Sequence, residues 1–137
     1  MELKISTKNI SESKNSIVEY EMLQDIYKYV KAVYFGTKDV NEAAHYIENR
    51  YKRKADSFKI YCNKYKNMLL GKPCNRNMSI ELHRLFLDGI YKEYGKGALR
   101  NALKSYLAYI EYRKTKLKKE DKAQQDIILY EEYAKKI

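Results

Sequence analysis

Residues 79–110 read SIELHRLFLDGIYKEYGKGALRNALKSYLAYI. Leu82, Leu85, Phe86 and Ile90 recur at spacings of three and four, the period of one helix face and not the alternation of a strand. Ser79 stands where a side-chain oxygen can cap the first free N–H groups, and Gly95 where the helix should end. A second run of the same period begins near Gly97 with Leu99, Leu103, Tyr106 and Ile110, reaching toward Leu117.

The flanks repeat the pattern. Upstream, Ile17, Tyr20, Leu23, Tyr27, Val30 and Tyr34 form one apolar stripe that Gly36 closes. Asp39 and Glu42 form a capping box ahead of Val40, Ala43, Ala44 and Ile47. Asp56 or Ser57 can cap a third helix with Phe58, Tyr61, Cys62, Tyr65 and Leu69 inside; Gly71 ends it and Pro73 forbids continuation. Downstream, residues 121–136 offer Ile127, Ile128, Tyr130 and Ala134 for a last helix. Most tyrosines fall on these apolar faces, so Tyr20, Tyr27, Tyr34, Tyr65 and Tyr106 are expected in the core.

Composition agrees with this reading. Five glycines and one proline in 137 residues are too few for a sheet with many tight turns, and 45% hydrophobic with 34% charged residues excludes a disordered chain. The sequence contains no apolar run of the roughly 18–20 residues that span a bilayer, and no signal-peptide core. The expectation is an all-α, compact bundle of five to six helices, in the cytoplasm. Residues 1–15 form a flexible segment, 16–119 the helical domain and 120–137 a C-terminal helix or tail.

Positive charge is concentrated. Residues 50–76 hold nine Lys/Arg against one acid, Asp56, whereas residues 1–49 hold six against eight. Residues 112–122 add six Lys/Arg against two acids. A cationic cluster gains affinity for a polyanion by releasing its condensed counterions, although a solvated helix face has the same composition. Within the cluster, Arg50, Lys52, Arg53 and Lys54 fall between the second and third helices, Lys59, Asn63 and Lys66 fall at i, i+4 and i+7 on the third, and Lys72 and Arg76 follow Gly71. Lysine suits phosphates, and asparagine can pair with an adenine edge. Tyr51 and Tyr61 could stack on bases. Helices two and three could form a helix-turn-helix-like pair, although KRKADS is longer than the usual turn and lacks its glycine.

Catalytic signatures are absent from the sequence. GKPCNR lacks the repeated glycines of a phosphate loop, and neither a zincin nor a hydrolase motif occurs. Cys62, Cys74, His45 and His83 match no zinc-finger spacing, so the cysteines read as one buried and one loop thiol. No enzyme activity, metal or cofactor is expected.

The frame Tyr65, Met68, Leu69, Gly71, Lys72, Arg76, Met78, Ser79, Phe86, Leu87, Ile90, Tyr94, Gly95, Ala98, Leu99, Ala102 and Leu103 resembles the helical N-terminal module that precedes HNH-type, restriction-like endonuclease domains of low-GC bacteria. The likeness covers residues 37–113; Cys74 and Asn77 depart from the expected aromatic and threonine, and nothing after 113 resembles the nuclease. It implies a DNA-associated role in restriction, defence or a mobile element, with no catalytic residue carried over.

The expected function is therefore non-catalytic binding of nucleic acid, DNA before RNA, through residues 50–76. The alternative is a protein-interaction module, such as a phage- or plasmid-encoded inhibitor that sets its basic face on a nucleic-acid enzyme. Self-association into a homodimer through the Tyr- and Leu-rich helices is a third reading.

Overall fold

The computed structural model describes the backbone over residues 19–116 and 120–137, and side chains over 19–116 and 123–137. The loose N-terminal segment expected at 1–15, Ile17 and Leu117 lie outside the described residues. The described chain is all-α: α1 (residues 19–34), α2 (Val40–Tyr51), α3 (Ala55–Leu70), α4 (Ile80–Tyr94), α5 (Lys96–Thr115) and α6 (Glu120–Ala134). Six helices and no strand occur among the described residues. No helix among them is long and apolar enough to cross a membrane.

Local chemistry sets most boundaries where the sequence places them. The Asp39 carboxylate accepts from the backbone N–H groups of Asn41 and Glu42 at 3.0 and 3.2 Å, and the Ser79 hydroxyl accepts from Leu82 N–H at 3.2 Å. Gly95 both ends α4 and precedes α5, so α5 starts at Lys96, just before the expected Gly97. The third helix departs further from expectation. It begins at Ala55, not after an Asp56 or Ser57 cap, because Glu48 of α2 reaches across and accepts the Ala55 N–H at 3.1 Å. Lys52 takes the left-handed conformation (φ 59°), and only Lys52, Arg53 and Lys54 separate α2 from α3. The connection is thus as short as a helix-turn-helix turn, with lysine where such turns often have glycine.

Packing places α5 at the centre, against α3, α4 and α6, while α2 packs on α3. The core joins Met22, Ile26, Tyr27 and Val30 of α1 to Ile47, Phe58, Tyr65, Met68, Phe86, Ile90, Leu103 and Tyr106. Tyr20 and Tyr34 lie outside it, at 63% and 45% exposure. Tyr27 is the α1 tyrosine that faces inward, and its buried neighbours Met22, Ile26 and Val30 turn the stripe away from both ends of the expected row. On α6 the buried face is Ala123, Asp126, Leu129 and Tyr133, and Ile128 is 58% exposed. Two polar contacts set that rotation: the Tyr106 hydroxyl of α5 donates to buried Asp126, and Tyr133 donates to Asp88 of α4 at 3.0 Å.

The approach of α1 to α4 depends on Gly89. A Cβ there would sit 1.8 Å from the Tyr27 hydroxyl oxygen and 2.4 Å from its Cζ. Gly89→Ala should therefore lower stability by about 1–3 kcal/mol through overpacking, against the roughly 1 kcal/mol that alanine gains in an open helix. Urea unfolding followed by circular dichroism reads the sign directly.

Asp88 makes the α4–α6 contact pH-dependent. Burial pushes its pKa up, but hydrogen bonds from Lys92 and Tyr133 outweigh this and hold it below the ordinary carboxylate range. A depressed folded value gives stability that is complete above the unfolded pKa of about 3.9 and is lost as pH falls through the folded one. Stability below about pH 4 should fall less steeply in Asp88→Asn than in the parent chain, as acid titration of the unfolding midpoint would show.

Candidate nucleic-acid interface

All nine residues singled out in the sequence are exposed, but they are not equivalent. The Arg50 Nε donates to the Tyr51 hydroxyl at 2.9 Å and lies 3.6 Å from the Asp25 carboxylate of α1. Those partners, Tyr51 first, raise its already high pKa further. Arg53 turns back so that its Nε meets the Met22 sulfur at 3.3 Å. Lys52, Lys54, Lys59, Lys66, Lys72 and Arg76 have no side-chain hydrogen bond or ion pair among the described residues. These six, with Asn63, make up the available part of the expected site.

The α3 outer face is built by helical geometry. Lys59, Asn63 and Lys66 follow one line along it, and Leu70 extends that line at 52% exposure. Lys64 belongs to the opposite side. It is 2% exposed, its Nζ donates to the Cys74 carbonyl at 2.9 Å, and it lies 3.9 Å from the centroid of the Tyr109 ring. One lysine of the basic run is therefore a core residue that fixes the loop from Gly71 to Ser79.

That loop is pinned at several points. Ser105 of α5 donates to the Lys72 carbonyl at 2.7 Å, and Asn101 donates to the Leu69 carbonyl at 3.1 Å. Tyr109 and Arg113 both donate to the Asn77 side-chain oxygen, at 3.2 and 3.0 Å. Gly71 is held left-handed (φ 70°) with the Asn101 side chain 3.2 Å from where a Cβ would sit, a conformation and a clearance that favour glycine. Lys72 and Arg76 consequently project from a fixed loop. Arg113, expected on a solvated helix end, is 3% exposed and belongs to this support.

The α5 helix adds cations that the sequence reading passed over. Lys96, Arg100 and Lys104 recur every four residues on its exposed side, and Arg100 directly precedes the Asn101 that bonds α3. They were missed because residues 77–111 are nearly neutral as a segment; the signal was the four-residue spacing, not the net charge. Four ion pairs among the described residues, Lys31–Glu93, Arg50–Asp25, Arg84–Glu132 and Lys92–Asp88, draw on α1, α2, α4 and α6. The exposed cations of α3, the loop and α5 have no such neutralisation.

The aromatic expectation needs correction. Tyr51 donates its hydroxyl to Asp25, with the Arg50 guanidinium 5.3 Å from its ring centroid, and Tyr61 packs partly buried against the core. Both rings are partly buried. Exposed rings lie elsewhere: Tyr20 at the start of α1, Tyr34 and Phe35 at its end, Tyr46 on α2 and Tyr94 at the end of α4.

Groups of reactive type do not converge on a metal site. No three of His, Cys, Asp and Glu are placed to share an ion among the described residues. His83 is buried against the rings of Tyr106 and Tyr109, with Nδ1 3.0 Å from the Ser79 carbonyl oxygen, while His45 is exposed. The loop thiol, Cys74, is buried; burial of the half-exposed Cys62 raises its thiol to about 12.

Compared with protein-family models, curated proteins and solved structures, the chain matches none.

Lys64→Met should separate support from contact. Loss of the bond leaves the Cys74 carbonyl unsatisfied and should cost about 1–3 kcal/mol of stability, whereas Lys66→Met, two positions away on the open face, should cost almost none. Thermal melts of the two variants side by side test the distinction.

Proposed function

We propose that this chain is a non-catalytic nucleic-acid-binding domain, with DNA as the first ligand to test, and that it works through the surface formed by the α2–α3 turn, the outer face of α3, the 71–76 loop and the exposed side of α5. The observation that carries the reading is the division of charge: ion pairs join α1, α2, α4 and α6, whereas the exposed Lys59 and Lys66 of α3 and Lys96, Arg100 and Lys104 of α5 have no ion pair among the described residues. Like charges held together on rigid helices repel one another, and a polyanion relieves that repulsion. The likeness to a helical module ahead of HNH-type nucleases favours a setting in restriction, defence or a mobile element.

Arg50 and Arg53 are left out of the first contact set because the Nε of each is engaged within the fold. Lys52, Lys54, Lys59, Lys66, Lys72 and Arg76 remain, and Lys96, Arg100 and Lys104 extend the surface. If about six cations meet phosphates, the logarithm of the binding constant should fall against the logarithm of salt with a slope near −5 on duplex and about −4 on single strands. Lys52→Glu/Lys54→Glu/Lys66→Glu should lower affinity at least a hundredfold at ~0.1 M salt and leave helix content unchanged. Fluorescence anisotropy with labelled duplex and single-stranded oligonucleotides over a salt series makes the measurement; unchanged affinity in a folded triple variant would remove the proposal.

A further inference from the structure

Three exposed rings collect where α1 and α4 end. Tyr34 and Phe35 are 45% and 58% exposed, with ring centroids 5.2 Å apart. Tyr34 also packs edge-on against buried Tyr65 of α3 at 5.5 Å, and the Tyr65 hydroxyl lies 3.3 Å from that of Tyr94, which is 40% exposed. Tyr65 thus links the rings of two helices from beneath, with Tyr34 and Phe35 set edge to face at 80°. Its burial and its contact with Tyr94 keep its own hydroxyl protonated across all ordinary pH.

Exposed cations neighbour these rings along the chain. Lys66 follows Tyr65 on the open face of α3, Lys96 lies two residues past Tyr94, and Arg100 one turn further; each is exposed and has no acidic partner among the described residues. The nearest acid in sequence, Glu93, is already held by Lys31 at 2.6 Å. Open π faces set among unneutralised cations match one chemistry in particular: unpaired bases stack on the rings while their phosphates meet the lysine and arginine groups. A paired duplex keeps its base faces covered by their neighbours and could use only the charge.

We propose that the Tyr34, Phe35 and Tyr94 cluster is a stacking platform for unpaired bases, so that the ligand of the basic surface is a single-stranded or locally opened nucleic acid. This rests on the nucleic-acid reading above and names the strand state that it leaves open. Preorganisation supports it, because Tyr65 holds Tyr34 and Tyr94, and Tyr34 packs on Phe35, so less ordering is needed on binding.

The chain contains no tryptophan, so Phe35→Trp introduces a single tryptophan at the platform, whose emission is read apart from that of the tyrosines by selective excitation. Titration with 12-mer oligo-dT and oligo-U should quench its emission saturably, with little change on adding blunt duplex of the same length. Tyr34→Leu/Phe35→Leu keeps apolar area and removes the π faces. It should weaken single-strand binding by roughly tenfold or more in anisotropy and change duplex binding less than twofold. Binding to single strands without quenching, and unaffected by the leucine pair, would overturn the platform while the basic surface stood. Quenching equal for duplex and single strand would overturn the strand preference. Absence of binding to any nucleic acid at low salt would remove both readings and turn attention to a protein partner.

Discussion

The contact on which the basic surface depends is the buried Lys64 amine on the Cys74 carbonyl beneath the Tyr109 ring. A loop of this length has many backbone groups that α3 and α4 cannot satisfy, and a buried polar group without a partner is costly. Lys64 satisfies one of them from α3, while Ser105, Tyr109 and Arg113 hold the loop from α5. The loop is therefore clamped between the two helices that carry the exposed cations. Lys72 and Arg76 belong to a fixed array with Lys66 and Arg100 because of residues that themselves never meet solvent.

The same economy appears at α6. Its apolar positions alone would favour a face containing Ile127 and Ile128, which is the face its sequence suggests. Tyr106 with Asp126, and Tyr133 with Asp88, rotate the helix so that two polar contacts are made inside and Ile128 is left outside. Hydrophobic burial has no direction, and partnered polar groups do, so the latter select among rotations that burial alone would tolerate. Arg84 and Glu132 close the outside of this contact at 2.6 Å.

What the sequence made legible follows from this distinction. Helix number, order and most ends could be read, because periodicity and capping act within a few residues: Asp39, Ser79, Gly71 and Gly95 all serve as their positions suggest. Contacts between distant positions could not. Glu48 capping Ala55 moved the start of α3 and shortened the turn, and no local rule links residues seven apart across a helix break. Lys64 read as one more cation in a basic run, since its partners lie ten residues on and, for Tyr109, on another helix. Arg50 and Arg53 read as free for the same reason, their partners being on α1. The α5 cations escaped notice because segment charge averages away what helical spacing keeps.

These corrections act together on the site. Engagement of the Arg50 and Arg53 Nε groups thins the cations of the α2–α3 turn, while the Lys59, Asn63 and Lys66 line on α3 stays intact and Lys96, Arg100 and Lys104 add exposed cations on α5. The centre of the cationic surface therefore moves away from the α2–α3 turn and toward the seam where Asn101 meets the end of α3. That shift matters for mechanism. A surface centred on the turn would present one helix, as a groove-reading protein does, whereas a surface centred on the seam presents two packed helices with exposed rings at one end. Two packed helices are too broad for a major groove sized for one, but they can support a strand laid across them. On the proposal of a nucleic-acid ligand, this breadth and the exposed rings both point to a flexible strand whose bases are free to leave the stack.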